Sequence, residues 1–317
     1  MRYFVTGGAG FIGSNFVEYL FENVSELTGV TIFDKFTYAA NPKNYEKFLS
    51  DPRLKVIKGN ICDLTLLEKS MSGHDFVIHF AAESHVDRSI DNAAVFIQTN
   101  VLGTFNVLEA SRITKIKTVI HVSTDEVYGS LAEGSADETY PLLPNSPYAA
   151  SKAASDLLAR SYFVTHGLDV RTTRSCNNYG KYQFPEKIIP LFVGNLISGQ
   201  KLPIYGDGRN IREWIHVSDH VRGIQIVLSN GLPGETYNIG TGQSLSNNDL
   251  TDSIIAFMGV KNSVREHILD RKGHDFRYSV DSKKIQSIGF RPDTEFEVGL
   301  KDTIDWYRDN ITWWTSH

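Results

Sequence analysis

Two carboxylates stand side by side at Asp125-Glu126, within Ser123-Thr124-Asp125-Glu126-Val127-Tyr128-Gly129. The stretch follows the apolar run Thr118-Val119-Ile120-His121-Val122, so it begins where a buried strand ends, the place where open α/β sheets put their chemistry. Burying either acid without a partner would be costly. A lone pair of this kind reads first as a turn cap at Asp125 and a solvated Glu126. That account weakens further along the chain. Tyr148 and Lys152 lie four residues apart after Pro147, a residue suited to starting a helix, which puts both side chains on one helical face. An ammonium beside a phenol favours the phenolate, so the pair can act as a base near neutral pH.

The elements that must position these residues read as alternating strands and helices. Arg2 to Thr6 is a short strand that runs into Gly7-Gly8-Ala9-Gly10-Phe11-Ile12-Gly13 and then a helical pattern at Phe16, Val17, Leu20 and Phe21. Glycines at 7, 10 and 13 permit a tight turn, close approach of backbone to a pyrophosphate and close packing of the helix, whose N-terminus faces the anion. Val30-Thr31-Ile32-Phe33-Asp34 supplies a second strand ending in an acid at the expected separation. Asp34 would accept from ribose hydroxyls and repel a 2′-phosphate, which favours NAD over NADP. Strands at Leu54 to Ile57, Phe76 to Ala82, Thr118 to Val122 and Asp169 to Arg174 continue the pattern, with helices at Leu64 to Met71, Ala94 to Arg112 and Tyr148 to His166. His79, apolar on both sides, reads as a core histidine with a satisfied hydrogen bond. Ser218-Asp219 read as a helix N-cap, and Trp306, Trp313 and Trp314 as packing.

The fold class expected is α/β, a Rossmann-type doubly wound parallel sheet with a smaller C-terminal α/β substrate lobe. The boundary falls near residue 175: residues 1–175 form the NAD-binding part, to which the chain returns near 210–245, and residues 176–317 form mainly the substrate lobe. A net charge of −5 over 317 residues gives no general attraction to nucleic acid or to an anionic membrane. Cys62 and Cys176 are too few for a disulfide framework or a thiolate zinc site, and the ten histidines show no metal-binding spacing. No metal, no membrane contact and a cytoplasmic setting are therefore expected.

With these segments in place the chain resembles the extended short-chain dehydrogenase/reductase family, in its nucleotide-sugar dehydratase branch. The resemblance runs from Thr6-Gly7-Gly8 through Asp34 to Ala39, His79 to Ser89, Ser123 to Gly129 and Cys176 to Gly180, to Asp270-Arg271-Lys272-Gly273-His274-Asp275. It implies NAD as cofactor, held by Gly7, Gly10, Phe11, Ile12, Gly13, Asp34, Lys35, Thr37, Asn60, Ile61, Ala81, Ala82, Ser84, Thr99, Tyr148, Lys152 and Asn178. A nucleoside diphosphate sugar would be held by Ser84, His85, Thr124, Asn177, Glu186, Lys187, Arg212, Asn247, Arg271 and His274. Arg212 and Arg271 could clamp the diphosphate, since guanidinium groups match phosphate oxygens in two-point contacts.

The Asp-Glu pair belongs to the pattern of dehydratases acting on a nucleotide-diphospho-glucose, most closely dTDP-glucose, and the catalytic set implied is Thr124, Asp125, Glu126, Tyr148 and Lys152. Tyr148, assisted by Lys152 and Thr124, would take the 4-hydroxyl proton as NAD⁺ removes hydride from C4. Glu126 would remove the acidified C5 proton, protonated Asp125 would donate to the departing 6-hydroxyl, and the hydride would return to C6. A C4 epimerase or decarboxylase on the same scaffold, or a non-catalytic NAD sensor, are the rival readings. Two positions depart from the family pattern: Asn60 stands for an Asp, and Lys181 for a Pro. A homodimer joined by a four-helix bundle, from the helices near 95–112 and 148–166, is also implied.

Overall fold

The first strand, β1 (Arg2–Thr6), is buried from Tyr3 onward and lies inside a large sheet. The computed structural model describes residues 1–260 and 264–315. After β1 come α1 (Phe11–Asn23), β2 (Gly29–Asp34), β3 (Leu54–Lys58), α2 (Leu64–Met71), β4 (Phe76–His79), α3 (Val86–Asp91), α4 (Ala93–Phe96), α5 (Gly103–Ile113), β5 (Thr118–Thr124), α6 (Pro147–His166) and β6 (Val170–Ser175). The second half adds β7 (Asn177–Tyr179), α7 (Ile188–Ile197), β8 (Leu202–Tyr205), β9 (Ile211–His216), α8 (Val217–Asn230), β10 (Thr236–Ile239), β11 (Ser244–Ser246), α9 (Asn247–Met258), β12 (Arg265–Ile268), α10 (Lys283–Ser287), α11 (Phe296–Asp309) and α12 (Ile311–Thr315).

Among the described residues the large sheet has seven strands in the order β10-β6-β5-β4-β1-β2-β3, each paired in parallel with its neighbours. Parallel neighbours need long crossovers, and helices supply them on both faces. Phe16, Val17 and Leu20 of α1 and Val221, Ile224 and Val227 of α8 fill one face; Leu67 and Met71 of α2, Val107 and Leu108 of α5, and Ala159 and Tyr162 of α6 fill the other. This is the doubly wound plan expected from the alternation. The strand order reverses between β1 and β4, and a doubly wound sheet binds its ligand at the carboxyl ends of the strands beside that reversal.

A second apolar cluster joins α7, β9, α9, α11 and α12 through Phe192, Trp214, Ile254, Leu300, Tyr307 and Trp313, with Trp306 and Trp314 packed on it. A three-stranded sheet β11-β9-β7 and a β12-β8 pair complete this region. The tryptophans pack as expected.

Two local expectations change. The helix expected over Ala94 to Arg112 is interrupted by a π-helical turn at Ile97–Leu102. This turn carries the buried Asn100, whose Oδ1 accepts from Glu83 N at 2.8 Å and whose Nδ2 donates to Glu83 O at 3.0 Å and Ser151 Oγ at 2.9 Å. Helix α8 is capped by the His216 side chain, not by Ser218-Asp219. Asp219, already inside the first turn, instead accepts from the backbone N–H groups of Asp293 and Thr294.

Candidate active site

Two cavities meet at the carboxyl ends of β1, β4 and β5. The first, about 250 Å³, is lined by Gly7, Gly10, Phe11, Ile12 and Gly13, by Asp34, Lys35 and Thr37 after β2, and by Asn60 and Ile61 after β3. Ala81, Ala82, Ser84, Thr99, Tyr148 and Lys152 line it as well. The glycines are demanded by space: a Cβ on Gly13 would stand 2.2 Å from Gly7 O, and one on Gly7 would stand 2.6 Å from Ala81 N. Helix α1 starts at Gly10 with no side-chain cap among the described residues, so its first N–H groups remain available to an anion. Asp34 Oδ2 accepts from Ala9 N at 3.0 Å and Oδ1 from Phe36 N at 2.8 Å, so the acid fixes the glycine loop and still has lone pairs for ribose hydroxyls. Burial pushes its carboxyl upward and these two N–H groups draw it back. The cavity thus has the parts that hold a dinucleotide without a 2′-phosphate.

Asn178 lies outside this lining. Its Nδ2 donates to Ser175 Oγ and Cys176 O, both at 3.0 Å, and its Oδ1 meets His220 Nδ1 at 2.7 Å. The amide is used up inside the fold. Asn60 turns its Oδ1 back to Cys62 N at 3.0 Å. Lys181, the other departure, pairs with Glu18 of α1 at 2.6 Å and so ties the loop after β7 to the glycine-loop helix.

The second cavity, about 440 Å³, is within the range of small-molecule sites and is lined by His85, Glu126, Asn177, Glu186, Lys187, Arg212, Asn247, Arg271 and His274. Glu186 and Lys187 line both cavities. Arg212 is not a free clamp: it donates to Ile211 O at 2.7 Å and Asp275 O at 2.8 Å and stacks on Tyr278 at 4.3 Å. Arg271 lies over Tyr205, with its Nε 3.3 Å from Asp87 Oδ1 but not aligned for a hydrogen bond. Tyr278, which the sequence reading did not single out, and Asp275, which it gave no role beyond closing the Asp270–Asp275 segment, also line this cavity. Tyr278 donates to Asp275 Oδ2 at 2.7 Å and Asn145 donates to Oδ1 at 2.6 Å. Asp275 and Tyr278 bond across three residues, but no local spacing marks Asn145, which lies 130 residues from its partner.

Of the five residues singled out as catalytic, Tyr148 and Lys152 line the first cavity and Glu126 the second, with Thr124 and Asp125 packed beside Glu126 outside both linings. A short 3₁₀ turn at Asp125–Tyr128, capped by Thr124, ends β5, all seven residues of which are buried. Thr124 Oγ1 donates to Asp125 Oδ1 at 3.2 Å and accepts from Glu126 N at 3.3 Å. Helix α6 begins at Pro147 under a Ser146 cap and presents Tyr148 and Lys152, both buried. Lys152 Nζ donates to Val122 O at 2.8 Å.

Burial dominates the electrostatics. It lifts Asp125 well above the carboxylate range, and the Glu126 charge adds to the lift. Burial also raises Glu126, but Lys187, Arg212 and Arg271 pull it back. Lys152 is lowered to about 8 by burial, with Asp156 opposing. Burial and the charge of Glu126 raise Tyr148, and the hydrogen bond with Thr124 draws it down, so desolvation outweighs the groups expected to favour the phenolate. The set therefore holds one acid kept neutral, one carboxylate among cations and one phenol that burial raises and Thr124 draws down. Among the described residues no group of three or more His, Cys, Asp or Glu is placed to hold a metal ion.

A doubly wound sheet with a glycine loop at one strand end and a Tyr-x-x-x-Lys helix beside another is the plan of the short-chain dehydrogenase/reductases. The family model described as GDP-mannose 4,6 dehydratase matches residues 4–303, and the chain belongs to that family. It is 50% identical to a dTDP-glucose 4,6-dehydratase of Streptomyces niveus over 318 residues, covering 99% of this chain and 95% of the relative. It matches the structure of a dTDP-glucose 4,6-dehydratase of Streptomyces venezuelae, solved with NAD bound, at a TM-score of 0.98 and 52% identity over 100% of this chain and 99% of that one. A UDP-glucose 4-epimerase of Thermotoga maritima shares the fold at a TM-score of 0.90 with 29% identity, over 98% of this chain and 100% of that one.

Proposed function

We propose that this chain is an NAD-dependent dTDP-glucose 4,6-dehydratase, a hydro-lyase that converts dTDP-glucose to dTDP-4-keto-6-deoxyglucose and water. The observation that carries the reading is the division of labour at Asp125-Glu126. Removing water across C5 and C6 needs a base for the C5 proton and an acid for the leaving 6-hydroxyl, and here a sealed acid stands next to a carboxylate on the cavity wall. Half-identical dehydratases spanning the whole chain support the same reading.

NAD in the first cavity would supply a hydride acceptor at C4 and a hydride donor at C6. The glycine loop and the α1 N-terminus would hold its pyrophosphate, and Asp34 its ribose. Tyr148 takes the 4-hydroxyl proton in its phenolate form, which the Thr124 hydroxyl and the Lys152 charge favour against burial. Glu126 takes the C5 proton and later returns it, while Asp125 protonates the departing hydroxyl, so the product differs from the substrate by one water. Lys187, Arg212 and Arg271 face the diphosphate, with Asn177, Asn247 and His274 around the nucleotide. The division at about residue 175 between a cofactor part and a substrate lobe fits this use of two cavities.

A cytoplasmic homodimer is part of the same proposal. Ile97, Leu102, Phe105, Leu157 and Val164 are exposed apolar residues on α5, α6 and the π turn, a face suited to a second copy. Both cysteines are free thiols, as a reducing compartment allows, and no described helix is long and apolar enough to cross a membrane. The deciding experiment incubates the purified protein with dTDP-glucose, UDP-glucose and GDP-mannose and follows the alkali-induced absorbance of a 4-keto-6-deoxysugar. Signal is expected with dTDP-glucose; absence of signal with all three, despite bound NAD, would overturn the reading.

A further inference from the structure

Lys152 is a charged group in a place that penalises charge, and one buried carboxylate opposes that penalty. We infer that Asp156 is a positioning residue for the reaction: fixed one helical turn beyond Lys152 on α6, it keeps the lysine charged beside Tyr148. The inference rests on the dehydratase reading.

Geometry carries it. Asp156 is 4% exposed, and both of its oxygens are held, Oδ1 by His121 Nε2 at 3.1 Å and Oδ2 by Arg174 Nε at 2.8 Å. Arg174 Nη1 in turn donates to the Tyr128 hydroxyl at 2.8 Å, which donates to Asn238 Oδ1 at 2.8 Å. Tyr128 closes the same 3₁₀ turn that bears Asp125 and Glu126, so the carboxylate behind the lysine and the acids in front of it share one rigid frame. Asp156 and Lys152 make no direct ion pair, since the lysine donates to Val122 O; residues four apart share a helix face, so the Asp156 charge acts on Lys152 across a medium with little water.

The other groups facing the lysine cannot do this. His79 on β4 and His121 on β5 are fully buried and kept neutral by that burial. Arg174 on β6 is a cation already paired with Asp156. Tyr148 on α6 is lifted by burial and is anionic only in its reacting form, and Asp125 is held protonated. Against burial, which raises it, the His121 bond and the Arg174 charge hold the Asp156 carboxyl down at about 2, so it is ionised at every working pH. Asp156 also raises Tyr148 slightly, so its removal moves both ends of the pH response in the same direction.

The test is the profile of kcat/KM against pH for the holoenzyme acting on dTDP-glucose. Asp156→Asn should move the alkaline limb to lower pH by about one unit, with the acid limb following by less, and Asp156→Glu should bring the limb back toward its parent position. Because Asp156→Asn leaves Arg174 unpaired, the same profile is measured for Asp156→Asn combined with Arg174→Met, which removes both charges. A profile that overlays the parent's in a folded variant would overturn the role. Failure of both variants to fold would also overturn it, making Asp156 a structural ion-pair partner. An inactive parent protein would sink the dehydratase reading itself, whereas an active parent with unshifted variants sinks only the role of Asp156.

Discussion

Asp125 and Glu126 are consecutive residues in different surroundings: Asp125 is 2% exposed, with Oδ2 lacking a partner among the described residues, while Glu126 opens onto the substrate cavity. Both sit in the 3₁₀ turn that follows β5, and only Glu126 lines the cavity. One is kept protonated by burial and by its neighbour's charge, and the other is held near three cations. Removing either should therefore damage a different proton transfer. Glu126→Gln should lower kcat by about 10²–10⁴-fold, and Asp125→Asn by a similar factor, with little change in NAD content. Steady-state kinetics on dTDP-glucose checks this; near-parent turnover in Glu126→Gln would remove it as the base.

Lys152 should cost stability. Its folded value of about 8 lies below the ordinary 10.5, so between these two values the unfolded chain binds more protons and stability rises with pH. At pH 7 the penalty is fully present and amounts to on the order of 3 kcal/mol. Lys152→Met should be inactive yet more resistant to urea at neutral pH, with the gap to the parent narrowing as pH climbs through that window. A variant less stable than the parent at neutral pH would contradict this account.

The glycine loop leaves no room for a methyl group at position 13. Gly13→Ala should weaken NAD binding by at least about tenfold and lower Tm, because the clash is with backbone that cannot yield. Asp34→Ser should bind NAD more weakly and narrow its preference over NADP. Calorimetric titration of both nucleotides into cofactor-stripped protein reads both effects, and an unchanged NAD-to-NADP ratio in Asp34→Ser would count against the ribose assignment.

The two arginines of the second cavity should part company. Arg271 has a buried Nε without an aligned partner, so Arg271→Gln should raise KM for dTDP-glucose by about tenfold or more with kcat much less affected. Arg212 also ties β9 to the segment at Asp275–Phe276, so Arg212→Gln should lose thermal stability as well as substrate affinity. Equal melting temperatures for the two variants would show that Arg212 is not structural.

The apolar face of α5 and α6 should be covered by a second copy. Sedimentation should give a dimer at micromolar concentration, and Leu157→Glu should shift it toward monomer; a monomeric parent protein would defeat the reading.

Sequence alone determined what depends on short separations. The glycines at 7, 10 and 13, the four-residue step from Tyr148 to Lys152 and the Asp-Glu pair each sit within one turn or helix, and Asp34 ends the next strand of the same β-α-β unit, so local pattern fixes where their side chains go. The parallel sheet was legible for the same reason, since each crossover repeats a local pattern. Tertiary structure decided the rest. Asn100 buttresses the loop after β4 only because a π turn places it there, and Asn145 reaches Asp275 across 130 residues of chain. Likewise Asp156 becomes meaningful only when β5, β6 and α6 enclose it. Charge states followed suit: spacing suggested that Lys152 would lower Tyr148, but loss of water from the packed site raised the phenol and lowered the lysine. Solvation is a property of the assembled fold, and no pattern along the chain encodes it locally.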